Sequence, residues 1–516
     1  MPIRIKKDPK HSSGSKGNYP GRNTNTGGGG GNPIVYFLPA IMKMFGKNPK
    51  LLIIVAIIAG LIYFFGGGGN CGGAVTDIAS SAFSTGAPFN EAKYAETEVF
   101  EPLADNKKNP LPERISLLKY APKRLNQGRQ GSCVGWASAY AARTILYSKQ
   151  TGNDPNKSAF SPAYLYNQIA LDGCQGTYLP EAMKTMKAGG VAPFSVFSYD
   201  ESTCSDKPDR EEAEIAKNYR IEGFERLTNT VKTDEVNMLA IKQNLAQGAP
   251  VVIGMMVGGS FMQSMSGEEV WIPTSSDYDM RGFGGHAMCV IGYDDYLEGG
   301  SFQLMNSWGE NWGDKGTAWV RYQDFDYFTK EAYGLHPMGD IDAPRGTVNK
   351  VELGLWLSDT GSNLALKSNS DGTFSSASNL NAETAFKIEV SNTLPCYIYV
   401  FGAELDGSSY VLFPYTDKHS PYCGITGTRL FPKDYVLYPD DQGSQDEIAV
   451  VLSAKPLDYD EFNARLSAAS GDYNSKLQSA LGRAVNPRAV RGGETASVEL
   501  ELGDTGVWGS VIRISK

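Results

Sequence analysis

An unbroken apolar run, LLIIVAIIAGLIYFF at Leu51–Phe65, constrains this chain more than any other feature of its sequence. Together with the glycines that follow it, a helix over residues 51–69 reaches the short end of the length needed to cross a bilayer, at about 1.5 Å per residue. Lysines precede the run, the last being Lys50, and no Lys or Arg follows until Lys93. The positive-inside rule therefore predicts a single transmembrane helix at 51–69, with a cytoplasmic N-terminus and an extracytoplasmic remainder.

Two alternatives to this anchor stay open from the sequence. A core helix buried on all sides is also apolar throughout, and a long signal peptide would be removed from the mature chain. A lipid-modified Cys71 would want a small residue directly before it, whereas Asn70 stands there. We therefore expect an uncleaved anchor.

The segments on the two sides of the anchor differ in charge. Residues 1–50 hold nine Lys and Arg against Asp8 alone, so of the total charge of −9 the remaining residues carry −17. The polar composition of 1–50 predicts a basic, disordered cytoplasmic tail, and residues 70–112 are expected to be a linker. The acidic body excludes nucleic acid as a partner, because phosphate contacts need clustered Lys and Arg.

Residues 113–340 change from helical to strand-rich patterning, which predicts an α+β domain of two packed lobes. Cys133–Gln150 is rich in alanine and apolar on most sides, as is typical of a buried helix. Shorter helices are expected at Glu181–Lys187 and Asp234–Gln247. Strands are expected at Val251–Val257, Ala287–Tyr293, Phe302–Asn306 and Thr317–Tyr322.

Composition shifts again at a Pro- and Gly-containing joint, and residues 347–516 are expected to form a separate β-rich domain. An amphipathic stretch at Tyr459–Leu481 interrupts its strands. The strand candidates are Phe386–Val390, Cys396–Phe401, Tyr410–Phe413 and Glu447–Ser453.

Nucleophilic chemistry has few candidates in this chain. Seven cysteines are too few for a disulfide scaffold in 516 residues, and only four histidines are present. Cys133 lies at the predicted start of a long buried helix, where the helix dipole favours the thiolate form. A cysteine at such a position is more often a small core residue, so this feature alone does not establish catalysis.

Three segments together resemble the active site of papain-like cysteine peptidases. The segment NQGRQGSCVGWA at 126–137 is similar to that family's nucleophile segment, and GGHAMCVIGY at 284–293 is similar to its histidine segment. The third, NSWGENWGDKG at 306–316, is similar to its asparagine segment. The separation of 153 residues between Cys133 and His286, and the order Cys, His, Asn, suit this family.

The resemblance implies a papain-like two-lobed catalytic domain, with a helical lobe and an antiparallel β-barrel lobe. It implies that Cys133 is the nucleophile, that His286 is the general base and then acid, and that Asn306 orients the imidazole. Gln127 would supply a side-chain donor to the oxyanion hole, and Trp308 would border the substrate site and shield the Asn–His hydrogen bond. The implied substrate is a protein or peptide, and no cofactor or metal is implied.

Several positions depart from the family pattern. Gln130 replaces the family's usual second cysteine, which leaves Cys174 to pair with Cys204 or to stay a free thiol. The family's Gly-Gly pair at the substrate backbone is Gly176-Thr177 here, and the threonine adds bulk.

The neighbouring positions concern specificity and control. The resemblance implies that Tyr178 and Leu179 line an apolar specificity pocket. Gly285 stands where the family often has Asp or Asn. No inhibitory propeptide signature precedes Arg114, so the restraint on activity is open.

The C-terminal domain loosely resembles a bacterial family of unknown function that is fused to peptidases and kinases, through the pattern CYIYVFGAELDGSSYVLFPY. This domain is expected to bind or position an unknown partner, and Cys396 and Cys423 could form a bridge in it. Two functions follow: a membrane-anchored cysteine endopeptidase, or a catalytically weak papain-fold scaffold that works through its C-terminal domain. The intact set of Cys, His, Asn and Gln favours the enzyme.

Overall fold

A computed structural model describes residues 3–8, 86–228, 235–338 and 348–516. The predicted anchor at 51–69, most of the tail at 1–50 and the first part of the linker lie outside the described residues. Within the described ranges, no helix is long and apolar enough to span a membrane.

One lobe of the domain predicted at 113–340 is helical, and its central element is the helical segment that begins at Cys133. This segment starts as an α-helix at Cys133–Gly135, continues with π-helical hydrogen bonding over Trp136–Arg143 and ends as the α-helix Thr144–Thr151. Gly152 ends it with a left-handed backbone (φ 70°), which glycine adopts without steric cost. The sequence predicted the span correctly to one residue but did not indicate the π-helical stretch.

Caps fix several of the shorter helices around this segment. Ser161 accepts a hydrogen bond from the Tyr164 amide, and Asp209 forms a capping box with Glu212. The other α-helices of residues 86–338 are Glu91–Ala95, Pro162–Ile169, Leu179–Ala188, Arg210–Ala216, Met238–Ala246, Gly259–Gln263 and Tyr322–Phe328. Short 3₁₀ turns lie at Leu118–Tyr120, Asp172–Cys174, Lys217–Tyr219, Asp277–Asp279 and Leu297–Gly299.

The second lobe is an eight-stranded sheet built around the long strand Gly284–Asp294. In spatial order its strands are Phe224–Arg226, Thr329–Leu335, Val251–Val257, Gly284–Asp294, Ser301–Met305, Thr317–Arg321 and Val270–Trp271, with Arg114–Ser116 also paired to Gly284–Asp294. All pairs are antiparallel except that of Val270–Trp271 with Thr317–Arg321. The four strands predicted from the sequence match strands of this sheet to within three residues.

Residues 348–516 fold into two further sheets that enclose a common core. The first contains Asn349–Leu357, Ser362–Leu364, Phe386–Asn392, Gly427–Phe431, Tyr435–Tyr438, Ala489–Arg491 and Ala496–Leu500. The second contains Leu366–Ser368, Phe374–Ser376, Cys396–Ala403, Ser409–Phe413, Tyr422–Cys423, Gln445–Ser453 and Val507–Ser515.

The strand Cys396–Ala403 is covered on both faces. Ile398 and Val400 face the core between the sheets, whereas Tyr399 and Phe401 pack beneath two helices, Tyr459–Ala468 and Tyr473–Leu481. Burial on both faces explains why this strand is apolar without alternation. The amphipathic stretch is therefore two helices, the second capped by Asp472. Cys396 and Cys423 face each other in register but remain free thiols, so the bridge considered between them is not formed.

The first described residues belong to the sheet of Asn349–Leu357. Arg4–Lys7 forms its edge strand, antiparallel to Tyr435–Tyr438, and Ile3 is buried in the core beneath it. The prediction of a disordered tail over 1–50 is therefore wrong for these residues. Ile3 lies directly before the strand and is buried, whereas Ile5, Lys6 and Lys7 of the strand are exposed.

Residues 86–112 are not a free linker, which corrects that prediction for this part of 70–112. The Val99 amide donates to Lys418 O at 2.7 Å, and the Phe100 amide donates to Arg226 O at 3.2 Å. Residues 98–104 therefore lie between the eight-stranded sheet and the C-terminal domain and are hydrogen-bonded to both.

Candidate active site

Cys133 is the first residue of the central helix and faces the sheet lobe. The amide of Ala287 donates to Cys133 Sγ at 3.4 Å across the junction between the two lobes. The thiol is fully buried, and this burial raises its pKa to about 12, although backbone amides, that of Ala287 first, act in the opposite direction. The position at a helix start predicted a lowered thiol pKa, but in this buried site the pKa is raised instead.

His286, Asn306 and Trp308 form one cluster on the sheet lobe. His286 Nε2 lies 2.7 Å from Asn306 Oδ1, and the imidazole stacks on the Trp308 ring with centroids 4.4 Å apart. Asn306 Oδ1 only accepts, so His286 carries its proton on Nε2 and leaves Nδ1 as an acceptor. Burial lowers the pKa of His286 to about 4, against the opposing effect of Asn306, so the ring is neutral near pH 7.

Gln127 is held beside this cluster through the residue that follows Asn306. The side-chain oxygen Oε1 of Gln127 accepts from Ser307 Oγ at 2.6 Å, and the backbone amide of Gln127 donates to Ser307 O at 2.8 Å. One hydrogen of Nε2 goes to Gln130 O at 2.9 Å, which leaves the second for an acceptor in the cleft. The sequence did not single out Ser307, although its place directly after Asn306 in the NSWG segment was a usable signal.

The Gly176-Thr177 pair lines the helical wall of the cleft. The Thr177 hydroxyl donates to Ile169 O at 2.7 Å, so the side chain is turned back into the protein. The added bulk of threonine therefore does not project into the cleft, where the Thr177 backbone amide donates to Gly86 O at 3.0 Å. Tyr178 lies next to the pair, with Lys93 Nζ 5.3 Å from its ring centroid.

Cys174 and Cys204 are joined by a disulfide bond that closes a loop of sequence separation 30. Gln130, in the place of the family's usual cysteine, donates from Nε2 to Thr203 O at 2.8 Å. The loop end at Thr203 and Cys204 is thus held by two links, the disulfide bond and the hydrogen bond from the Gln130 side chain to the adjacent residue.

The described residues hold no cluster of three or more His, Cys, Asp or Glu side chains suited to a metal ion. The cleft brings together a thiol, a neutral imidazole oriented by an amide, and an amide donor. Together they have the composition needed for covalent catalysis of acyl transfer.

Comparison with known proteins covers this region of the chain. An uncharacterized peptidase C1-like protein of Acanthamoeba polyphaga mimivirus is 29% identical over 210 residues, which are 39% of this chain and 64% of that protein. Cathepsin K of Mus musculus is 28% identical over 215 residues, which are 40% of this chain and 59% of that protein. The match thus spans less than two thirds of the length of these curated relatives.

A solved structure and a family model also match. Xylellain, a cysteine protease from Xylella fastidiosa, is similar at 23% identity with a TM-score of 0.39, over 47% of this chain and 92% of that one. The family model described as papain family cysteine protease matches residues 118–332. Residues 118–332, which are less than half of this chain, are therefore similar to the cysteine proteases of the papain family.

Proposed function

We propose that this protein is a cysteine endopeptidase whose catalytic group is Cys133, with His286, Asn306 and Gln127 as its partners. The observation that carries the proposal is the junction of the two lobes, where Ala287, the residue after His286, donates its amide to Cys133 Sγ at 3.4 Å. The imidazole presents Nδ1 as an acceptor because Nε2 is bonded to Asn306 Oδ1.

The mechanism uses each group at a stated atom. His286 Nδ1 takes the proton of the Cys133 thiol, and the sulfur attacks the carbonyl carbon of the peptide bond. The resulting oxyanion accepts from Gln127 Nε2 and from the Cys133 amide. The C–N bond then breaks, and the imidazolium gives its proton to the leaving amine, which leaves a thioester on Cys133.

Hydrolysis of the thioester reverses these roles. His286 Nδ1 takes a proton from water as the water oxygen attacks the thioester carbon, and the C–S bond breaks with return of that proton to sulfur. Asn306 keeps the ring orientation through both steps. Trp308 stacks on the ring and excludes water from the Asn306–His286 hydrogen bond, which strengthens that bond.

The test is peptide hydrolysis and labelling by an epoxide inhibitor, with Cys133→Ala beside the parent protein. We expect the substitution to abolish both signals. Cys289→Ala is the matched control, because Cys289 is a buried cysteine of the same strand as His286 and has no role in the proposed chemistry. Equal labelling of the parent and Cys133→Ala would exclude the proposal.

We further propose that residues 51–69 anchor the chain in a membrane, with the peptidase domain on the extracytoplasmic side. The apolar run and the one-sided distribution of lysines support this topology. The pairing of the edge strand Arg4–Lys7 with Tyr435–Tyr438 is an observation against this topology, because a chain that crosses the membrane once would place the two strands on opposite sides of it. The C-terminal domain, bonded to residues 98–104, would position the peptidase domain.

A further inference from the structure

A tyrosine hydroxyl joins the proposed oxyanion donor to the residue that precedes the nucleophile. The Tyr199 hydroxyl donates to Gln127 O at 2.7 Å, and it lies 2.7 Å from Ser132 Oγ. A phenol has one hydrogen and a backbone carbonyl only accepts, so the Ser132 hydroxyl is the donor to Tyr199. One oxygen atom is therefore hydrogen-bonded both to Gln127 and to the residue directly before Cys133.

The residues that Tyr199 connects carry or adjoin the two donors of the proposed oxyanion hole. One donor is the side-chain Nε2 of Gln127. The other is the backbone amide of Cys133, which opens the helix Cys133–Gly135 and so has no carbonyl partner within that helix. An oxyanion hole stabilises the developing charge only when both donors lie about 3 Å from the position that the oxygen takes. The separation between Gln127 and Ser132 therefore decides how well the hole fits.

Packing and burial hold the Tyr199 hydroxyl in this position. The Tyr199 ring meets the Trp136 ring edge-on with centroids 4.9 Å apart, and Trp136 lies one turn after Cys133 in the same helical segment. Ser132 is 0% exposed and Gln127 is 3% exposed, which limits competition from water for either hydrogen bond. Burial raises the pKa of the Tyr199 hydroxyl, which therefore stays a neutral donor near pH 7.

The loop that carries Tyr199 is fixed to the same segment at a second point. Gln130, which lies between Gln127 and Ser132, donates from its side-chain Nε2 to Thr203 O at 2.8 Å. The backbone carbonyl of Gln130 accepts from Gln127 Nε2 at 2.9 Å. The residue that departs from the family pattern thus links the Tyr199 loop to the oxyanion donor itself.

We propose that Tyr199 is a positioning residue of the oxyanion hole, whose hydroxyl fixes the separation between the Gln127 side chain and the Cys133 amide. This inference rests on the proposed function, because the hole belongs to the same cleft. The hydroxyl is not itself a donor to the oxyanion, since its one hydrogen is given to Gln127 O. Without the hydroxyl, Gln127 O and the Ser132 hydroxyl would be buried without this partner, and both segments would shift to find another.

The test is the affinity of the full chain for a peptide aldehyde, measured by calorimetry. The Cys133 thiol adds across the C=O bond of the aldehyde, and the aldehyde oxygen then lies in the oxyanion hole. Tyr199→Phe removes the hydroxyl and keeps the ring against Trp136. We expect it to raise the dissociation constant by about tenfold or more, because small displacements of catalytic groups have effects of this size. Ser132→Ala removes the second bond of the same hydroxyl and should act in the same direction by a smaller factor.

Two controls separate positioning from general damage to the fold. Alkylation of Cys133 by iodoacetamide needs the thiol but no oxyanion donor, so its rate should be unchanged in Tyr199→Phe. Tyr327→Phe is the matched control, because the half-buried Tyr327 also donates its hydroxyl to a backbone carbonyl, Tyr278 O at 2.8 Å, outside the site. This variant should bind the aldehyde as tightly as the parent.

Aldehyde binding and peptide hydrolysis distinguish failure of this inference from failure of the proposed function. Weaker aldehyde binding by Tyr199→Phe at an unchanged alkylation rate upholds the positioning role, and absence of hydrolysis in the parent would then contradict the peptidase alone. Equal aldehyde affinity in the parent and Tyr199→Phe, with hydrolysis in both, overturns the role and leaves the peptidase standing. Parallel losses of aldehyde affinity and alkylation would also overturn it, because Tyr199 would then support only the fold. A parent that binds no aldehyde would overturn both.

Discussion

His286 Nε2 and Asn306 Oδ1 lie 2.7 Å apart in a site from which solvent is excluded. The bond fixes both the tautomer and the direction of the imidazole, because the amide oxygen can only accept. Loss of this hydrogen bond would leave the imidazole ring free to turn about its Cβ–Cγ bond.

Asn306→Ala should therefore lower kcat by about 10- to 100-fold with little change in KM, because the base would be misoriented while the substrate groove is intact. Steady-state hydrolysis of a fluorogenic peptide measures this. Asn379→Ala, an exposed asparagine in the C-terminal domain, is the control and should be silent. An unchanged kcat in Asn306→Ala would contradict the assigned role.

Gln127→Ala should lower kcat by about 100-fold, because one donor to the developing oxyanion is lost. Ser307→Ala should have a smaller effect in the same direction, since Ser307 Oγ only positions Gln127 through Oε1 at 2.6 Å. Single-turnover acylation rates with an activated ester distinguish the two. Equal losses in both variants would mean that Ser307 acts directly, against this assignment.

The alkylation of Cys133 by iodoacetamide should rise steadily with pH. Burial raises the thiol pKa to about 12, so the thiolate fraction and the alkylation rate should rise by about tenfold per pH unit up to about pH 9. Mass spectrometry of the modified peptide measures the rate. A rate that reaches a plateau near pH 7 would contradict the raised thiol pKa.

Loss of the Cys174–Cys204 disulfide should lower the free energy of unfolding by about 3.6 kcal/mol, as expected for a closed loop of this length. Urea unfolding of Cys204→Ser, compared with the parent under oxidising and reducing conditions, measures it. The parent in reductant should behave like the variant. Gln130→Ala should cost less, because it removes one amide hydrogen bond and keeps the covalent link.

Protease added to intact spheroplasts should digest a tag at the C-terminus and spare a tag at the N-terminus, if residues 51–69 cross the membrane once. Digestion of both tags would contradict the single crossing and would support the pairing of Arg4–Lys7 with Tyr435–Tyr438. Lysed cells, in which both tags are accessible, provide the control.

The sequence predicted the elements whose residues carry a strong local pattern. Val251–Val257 is apolar throughout because it is a buried central strand, and its predicted bounds are those of the structure. The helix predicted at Cys133–Gln150 and the strand predicted at Ala287–Tyr293 follow from their apolar patterns, and their bounds differ from those of the structure only at the ends. These elements could be predicted because the spacing of apolar residues within each segment is enough to indicate its conformation and burial.

The conformation of Gly86 and Ala87 and the N-terminal edge strand could not be predicted in this way. Gly86 and Ala87 have no periodicity, and their conformation is set by Thr177 and Gly285, which lie far along the chain. Arg4–Lys7 is charged and short, and only its partner strand makes it extended. The thiol pKa was misjudged for the same reason, since the helix start is visible in the sequence and the cover over it is not.

Residues 98–104 have a consequence for how this protein can be divided. Val99 pairs with Arg226 on one side and with His419 on the other. The side-chain amide of Gln243 forms two hydrogen bonds of 2.9 Å with the backbone of Leu103. A fragment cut at residue 113, where the family resemblance suggests a boundary, would expose the surfaces of both domains that this segment covers. The peptidase and its C-terminal neighbour are therefore not interchangeable modules, and exchange between chains would have to carry this segment and both of its surfaces together.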